Sequence, residues 1–178
     1  MKAAAREIPH PDMVIMLGDA MAHHLKYFSH RAFANVTSRV AAAFPGVGCV
    51  SVLGNSDVFP DYNINLTNPD QFTGQGASVS AACGLSPDAA ASLRDGGFYA
   101  YGGWRNGPRV LVLNTGPYST MPKAPPLNES QHPDPYGQFA WLERELRAAR
   151  AQRERVLVLG HAPPCLDYYD RQPLWQEA

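Results

Sequence analysis

The amino-acid sequence predicts an α/β fold with mixed sheets, and two kinds of pattern support this prediction. Four short runs are almost continuous in apolar character, which suits strands that are covered on both faces. They lie at residues 13–17, 49–53, 109–113 and 155–159. Stretches with the spacing of amphipathic helices separate the first two runs and precede the fourth. At 178 residues, with 45% apolar and 17% charged residues, the chain can bury one substantial core, so we expect a single domain.

A helix is predicted between the first two strands. Its apolar residues recur at spacings of three or four and form one stripe that faces the sheet. These residues are Met21, Leu25, Phe28, Ala32, Val36 and Val40. Together with the strands on either side, this helix forms a βαβ unit.

A second helix is predicted before the fourth strand. Asp134 is a good N-cap residue, and Pro135 suits the first turn that follows it. The expected buried face consists of Phe139, Leu142, Leu146 and Ala149. The third strand pairs in an antiparallel hairpin with residues 98–101 across an Asn-Gly turn at residues 106–107. Residues 63–82 and 115–133 are rich in Pro, Ser, Asn and Gly, and we expect long surface loops there.

Composition excludes several classes of protein. Fifteen basic residues nearly balance sixteen acidic ones, and no Lys/Arg stripe is interleaved with aromatic residues, so nucleic-acid binding is disfavoured. The apolar runs are far shorter than the roughly 20 residues of a transmembrane helix. The first residues lack the apolar segment of a secretory signal, so no signal peptide is visible.

The cysteines and the glycosylation sequons bear on the compartment. Three cysteines, at positions 49, 83 and 165, show no C-x-x-C spacing, so their disulfide state and the redox compartment stay open. Sequons at Asn35, Asn65 and Asn128 favour a secretory history, although such tripeptides also arise by chance.

Three of the four predicted strands end in glycine followed by a side chain that can bind a metal. The pairs are Gly18-Asp19, Gly54-Asn55 and Gly160-His161. Because ligands bind beyond the carboxyl ends of strands in open α/β sheets, we expect Asp19, Asn55 and His161 to converge. Their oxygen and imidazole ligands suit zinc, manganese or iron. Each pair taken singly is also ordinary turn chemistry, but three of them directly after buried strands favour a site.

These residues resemble a known family. Gly18-Asp19, Gly54-Asn55 and Gly160-His161 are similar to the GD, GNH and GH motifs of the calcineurin-like metallophosphoesterases. The stretches GDAMAHH, GNSDVFPDY, DPYGQFAWLERELRAA and VLVLGHAPP resemble the acid sphingomyelinase-like phosphodiesterase branch. The resemblance implies an α/β/β/α sandwich and a phosphodiesterase with two divalent metal ions, zinc first, with manganese or iron as alternatives. It also implies a phospholipid or other small phosphodiester substrate and an extracellular or lysosomal location.

The resemblance also implies roles for single residues. Asp19 bridges the two metals, and Asn55 and His161 each ligate a metal. His23, four residues after Asp19 and expected on the first turn of the predicted helix, is the candidate general acid for the leaving alkoxide. Asp57 is expected to support the site by orienting a ligand histidine.

The sequence departs from the family pattern in two ways. Ser56 stands where the family has the histidine of GNH, and a serine hydroxyl is no general acid at physiological pH, which leaves His23 as the main donor. The family motifs D-x-H and GH-x-H are not found, so we interpret residues 1–178 as a partial domain, truncated at both ends, with little activity alone. The alternative reading is a truncated or degenerate domain that acts as a binding or interaction module. Rossmann, P-loop and serine-hydrolase signatures are lacking.

Overall fold

The computed structural model describes residues 2–8, 10–23, 25–104, 106–120, 134–164 and 173. Five helices and five strands follow one another along the chain: α1 (Lys2–Glu7), β1 (Met13–Met16), α2 (His30–Ala42), β2 (Gly48–Ser51), α3 (Thr73–Cys83), α4 (Pro87–Gly96), β3 (Tyr99–Tyr101), β4 (Arg109–Val112), α5 (Gln138–Ala151) and β5 (Val156–Leu159). Short 3₁₀ turns lie at Asn55–Asp57, Gly116–Tyr118 and Pro135–Gly137. Among the described helices, none is long and apolar enough to cross a bilayer.

The strands form two sheets. β1 and β2 are parallel, with Met13 opposite Gly48 and Met16 opposite Ser51. In the second sheet β3 is antiparallel to β4, and β4 is parallel to β5. The four predicted strands and the predicted hairpin are therefore confirmed, as is the mixture of parallel and antiparallel pairing.

The two sheets share one buried core. Val50 on β2 packs in the same apolar cluster as Tyr99, Val110 and Val112 of the second sheet. The Tyr99 hydroxyl accepts a hydrogen bond from the Ser51 backbone N–H at 2.9 Å and donates to the Ser51 carbonyl at 3.1 Å, so it joins the sheets directly. Helix α3 packs against β2, and α5 packs against β4. The architecture is an α/β fold with helices on mixed sheets.

The predicted helix between β1 and β2 is shorter than expected. It begins at His30, because the Ser29 hydroxyl accepts the Ala32 backbone N–H and caps it. Residues 21–23 and 25–29 are not helical. The buried face centres on Phe33 and Thr37. The predicted helix was therefore wrong before Ser29, although Met21 is buried and Phe28 packs against the core. Within α2 the fully buried positions lie one residue after the predicted Ala32 and Val36.

The prediction of a surface loop over residues 63–82 was also wrong, because helix α3 begins at Thr73. Its small residues suggested a loop, but they allow close packing. A Cβ on Gly76 would lie 2.6 Å from the Arg94 side chain of α4. Helix α4 was not predicted, although Ser86 caps its start and Gly97, with φ of 79°, ends it. In the second predicted loop, residues 116–118 form a short 3₁₀ turn, and residues 121–133 lie outside the described part.

Helix α5 begins four residues later than the predicted cap. Asp134 still caps it, because its carboxylate accepts the backbone N–H groups of Phe139 and Ala140 at 2.7 and 2.9 Å across the intervening 3₁₀ turn. Trp141 and Ala149 are buried, and Trp141 packs on Phe98. Phe139 and Leu146 are exposed, so the predicted buried face was wrong for these two residues.

A disulfide joins Cys49 on β2 to Cys83 at the end of α3, with an S–S distance of 2.07 Å. It decides a question that the spacing of the cysteines left open. Cys165 lies outside the described residues.

Candidate functional site

The side chains that follow β1, β2 and β5 meet at one edge of the fold. The Nε2 atom of His161 lies 3.0 Å from Asn55 Oδ1 and 3.6 Å from Asp19 Oδ2. The turns after β1 and β2 fit together closely because the glycines that precede Asp19 and Asn55 leave no room for a side chain. A Cβ on Gly18 would lie 2.6 Å from the backbone nitrogen of Gly54, and a Cβ on Gly54 would collide with Asp19. The three side chains therefore form one cluster, while their roles as ligands stay predictions.

Asp19 is held so that one of its oxygens faces the cluster. Its Oδ1 accepts two hydrogen bonds from Ser56, one from the backbone N–H at 3.0 Å and one from the hydroxyl at 2.8 Å. Its Oδ2 faces His161 and also lies 3.4 Å from His23 Nε2. Asp19 itself has a φ of 54°, a left-handed conformation that needs support from its surroundings. Ser56, which stands where the family motif has a histidine, thus positions the Asp19 carboxylate.

The buried side chain of Asp57 supports this conformation of Asp19. Its fully buried carboxylate accepts backbone N–H groups from Gly54 at 2.8 Å, Asp19 at 3.0 Å and Met21 at 3.2 Å. The pKa of the Asp57 carboxyl is raised, because the effect of burial exceeds that of these backbone hydrogen bonds, which lower it. Asp57 therefore holds the two glycine turns together. Its two oxygens contact backbone groups, and its expected role of orienting a ligand histidine stays a prediction.

His161 presents one nitrogen to the cluster. Its Nδ1 lies 2.7 Å from the Leu17 carbonyl oxygen, which can only accept, so Nδ1 carries a proton. In the neutral ring, Nε2 then has a lone pair that faces Asn55 Oδ1. A carbonyl holding the other nitrogen of an imidazole is the usual arrangement for a metal-binding histidine.

This donor set fits a divalent cation. The imidazole nitrogen of His161 faces an amide oxygen at 3.0 Å and a carboxylate oxygen at 3.6 Å, and each of these atoms has a lone pair. Such a group of acceptors is stabilised by a cation and matches the ligands of zinc, manganese or iron. Within the described ranges, no group of three or more His, Cys, Asp or Glu side chains is arranged to hold a metal. Asn55 is therefore needed as the third donor.

His23 lies beside the cluster but not on a helix. It sits in a turn before α2, so its predicted position on a first helical turn was wrong. Its Nε2 is 3.4 Å from Asp19 Oδ2, and its Nδ1 is 3.0 Å from Asp61 Oδ2 and 3.4 Å from the Asn55 amide nitrogen. Its neighbour at position 24 lies outside the described residues. Sequence reasoning missed Asp61, because this contact spans 38 residues and follows no local pattern.

A cavity of about 220 Å³ opens next to Asn55 and His161. Its lining is mostly apolar, with three hydroxyl groups, those of Tyr62, Thr115 and Ser119, and no Asp, Glu, Lys or Arg side chain. The lining includes Leu53, Tyr62, Thr115, Gly116, Ser119, Ala162 and Pro163. The cluster thus borders a space that can receive an uncharged portion of a small ligand.

Two of the three sequons lie in the described part. Asn35 on α2 and Asn65 in a loop are both exposed. Asn65 Oδ1 accepts hydrogen bonds from the Thr67 hydroxyl at 2.8 Å and backbone N–H at 3.0 Å, in a surface turn. Asn128 lies outside the described residues.

Comparison with known proteins agrees with this arrangement. The sequence matches the calcineurin-like phosphoesterase family over residues 1–176. It is 31% identical to sphingomyelinase phosphodiesterase D of Dictyostelium discoideum over 169 residues, which are 93% of this chain and 36% of that protein. It is 32% identical to the cyclic GMP-AMP phosphodiesterase SMPDL3A of Bos taurus over 131 residues, 73% of this chain and 28% of that protein. It is 30% identical to human sphingomyelin phosphodiesterase over 162 residues, 86% of this chain and 25% of that protein.

The chain spans about a third or less of the length of these curated relatives. The family match nevertheless covers almost all of this chain, and it includes the three strand ends that carry Asp19, Asn55 and His161. The chain therefore belongs to the calcineurin-like phosphoesterase family.

Proposed function

We propose that this chain carries part of the active site of a metal-dependent phosphodiester hydrolase. The observation that supports this most strongly is that His161 Nε2 lies within 3.6 Å of both Asp19 Oδ2 and Asn55 Oδ1. The printed names of three relatives, a sphingomyelinase phosphodiesterase, a cyclic GMP-AMP phosphodiesterase and a sphingomyelin phosphodiesterase, all describe phosphodiester cleavage. Phosphodiesters are therefore the proposed substrate class, either phospholipids or nucleotides.

Asp19, Asn55 and His161 are the residues of this chain that would hold metal, with zinc as the first candidate and manganese or iron as alternatives. The family implies divalent metal ions, and two of them are proposed here. When bound, such ions stabilise the charge on the phosphate and lower the pKa of water. A carboxylate is the ligand that can bridge two cations, and Asp19 is the carboxylate at the centre of the cluster.

The protein groups around the metal ligands have their own proposed roles. His23 would donate a proton to the departing oxygen, since its Nε2 faces the cluster beside Asp19. Ser56 fixes Asp19 and supplies no proton. The mostly apolar cavity at Asn55 and His161 would receive an uncharged part of the substrate next to the phosphate.

The disulfide and the sequons favour a location outside the cytosol. The Cys49–Cys83 bond is of a kind that persists in oxidising compartments. Asn65 lies in an exposed turn that can carry a glycan without displacing the core. We propose an extracellular or lysosomal protein that is glycosylated at Asn65.

Metal stoichiometry tests the proposed function against the alternative of a binding module. Two features favour that alternative: Ser56 in place of the motif histidine, and a described cluster with one carboxylate and one imidazole at its centre. The measurement is metal content after dialysis against zinc, manganese or iron, together with hydrolysis of bis(4-nitrophenyl) phosphate, on this chain and on any longer product of its gene.

For a longer product that supplies the remaining metal ligands, the proposal predicts two ions per chain and hydrolysis that a chelator removes and the metal restores; for residues 1–178 alone it predicts little hydrolysis. A protein that binds no metal, or that hydrolyses the diester equally well with a chelator present, would overturn it. One loosely held ion without hydrolysis would favour the binding module.

A further inference from the structure

A buried carboxylate lies behind His23, on the side away from Asp19. Asp61 is 8% exposed, and its Oδ2 lies 3.0 Å from His23 Nδ1. The His23 side chain itself is half exposed, at 52%. A surface imidazole is thus tethered to a carboxylate that is nearly withdrawn from water.

The loop that carries Asp61 is fixed by its own backbone and by the core. The Tyr62 N–H donates to the Asn55 carbonyl at 3.0 Å, and the Asn63 N–H donates to the Pro60 carbonyl at 2.9 Å. The side chains on either side of this turn, Val58 and Ile64, are both buried. Because Asn55 belongs to the strand-end cluster, the same backbone bond sets the distance between Asp61 and that cluster.

The two histidines of the site are held in the same way. Two groups lie against His23 Nδ1, the Asp61 carboxylate at 3.0 Å and the Asn55 amide nitrogen at 3.4 Å. An ionised carboxylate can only accept, so the shorter contact, to Asp61, places a proton on Nδ1 and leaves Nε2 toward Asp19. The Leu17 carbonyl does the same for His161, whose Nε2 also faces Asp19. Each imidazole therefore has one nitrogen fixed by an acceptor and the other turned into the cluster.

We propose that Asp61 is a positioning residue that fixes the ring orientation and the Nδ1–H tautomer of His23, so that Nε2 is the atom presented to substrate. This inference rests on the proposed function in that it gives His23 the role of acid. In that step a water oxygen bonds to phosphorus and loses a proton to solvent, the P–O bond to the leaving group breaks with its electron pair staying on the departing oxygen, and the Nε2 proton moves to that oxygen. The ring becomes neutral, and the proton that stays on Nδ1 remains hydrogen-bonded to Asp61. His23 thereby supplies the proton that the Ser56 hydroxyl cannot supply.

The direct test is the tautomer of His23, measured by long-range ¹H–¹⁵N NMR in metal-free protein labelled at histidine nitrogen. The spectra are recorded at pH of about 9, above the usual pKa of histidine. We expect the Nδ1–H form for His23 in the wild-type protein and the Nε2–H form, the one favoured by an unconstrained histidine side chain, in Asp61→Ala. His23→Gln assigns the signal. Asp61→Asn should keep part of the Nδ1–H population, because its amide oxygen can still accept.

Two controls separate positioning from general damage. His161 should stay in the Nδ1–H form in every variant, because its acceptor is a backbone carbonyl, and this also reports that the site remains folded. Asp70→Ala, which removes an exposed aspartate from the neighbouring loop, should leave both histidines unchanged. An Nε2–H form of His23 in the wild type, or the same tautomer with and without the Asp61 carboxylate, would overturn the inference.

Kinetics provide a second and separable readout. In a series of aryl phosphodiesters, His23→Ala and Asp61→Ala should lose little rate with 4-nitrophenol as leaving group and about 10²- to 10⁴-fold with far more basic leaving groups. Metal affinity should change little in both variants. Equal losses across the series in Asp61→Ala would contradict a positioning role. If the His23 tautomer changes in Asp61→Ala as expected but the wild type hydrolyses no diester, the proposed function fails. The inference that Asp61 fixes the His23 tautomer then still stands.

Discussion

Replacing Asp19 with alanine should abolish metal binding and hydrolysis together. Asp19 is the only carboxylate with an oxygen facing both histidines in the described cluster, at 3.4 and 3.6 Å. Loss of a group that merely orients a metal ligand already costs about 10- to 100-fold in affinity, so loss of the bridging ligand should exceed about 100-fold. The rate should fall by roughly 10³-fold or more, equivalent to the several kcal/mol of charge stabilisation that metals supply.

The matched variants separate charge from structure. Asp19→Asn keeps an oxygen that can accept from Ser56, so its stability should remain near that of the wild type while its metal affinity falls nearly as far as in Asp19→Ala. Metal affinity is measured by calorimetry and turnover with bis(4-nitrophenyl) phosphate. Wild-type metal content and turnover in either variant would show that the predicted role of Asp19 is wrong.

Asp57→Ala should be among the most destabilising single substitutions in this chain. It leaves three backbone N–H groups, those of Gly54, Asp19 and Met21, without their acceptor in a site closed to water. A buried donor left without a partner costs about 1–3 kcal/mol, and partial relaxation gives an expected total of about 3 kcal/mol. For a chain of this size that corresponds to a fall in Tm of about 6–12 °C.

Asp57→Asn offers an intermediate case. Its amide oxygen can still accept from two of the three N–H groups, while its NH₂ group faces the third, so a smaller loss is expected. Asp70→Ala, at an exposed position, should stay within about 0.5 kcal/mol of the wild type in denaturant unfolding. Equal stability of Asp57→Ala and the wild type would show that Asp57 does not hold the two glycine turns together.

The strands and their ends were predictable from the sequence because the relevant information is local. A strand covered on both faces is a continuous apolar run, and a glycine followed by a polar residue marks its carboxyl end. Parallel pairing then places Asp19 and Asn55 at the same edge without further information. That His161 approaches both within 3.6 Å required the structure, since β5 belongs to the second sheet.

The helices show where local patterns fail. The apolar spacing of Met21 and Leu25 continued that of α2, but the chain before Ser29 is held by a bond between the Met21 N–H and Asp57 instead of by a helix. Helix α3 was mistaken for a loop because its glycines and serines disfavour an isolated helix. Their small size is what lets α3 pack closely against its neighbours, and tertiary packing thus outweighed local propensity.

The supporting groups of the site could not be derived from spacing. Ser56 was visible as a departure from the family motif, but its two hydrogen bonds to Asp19 depend on how the turns after β1 and β2 meet. Asp61 reaches His23 across 38 residues, and its sequence neighbours carry no sign of this contact. Such contacts are set by the whole fold.

The central claim is that the side chains at three strand ends hold metal, and anomalous X-ray diffraction tests it most directly. Crystals of the protein grown with zinc would be measured on both sides of the zinc absorption edge. We expect an anomalous peak about 2.0–2.2 Å from Asp19 Oδ2, Asn55 Oδ1 and His161 Nε2, distances typical of oxygen and nitrogen ligands to zinc. A map that places zinc elsewhere on the chain, with no peak among these three atoms, would contradict the claim.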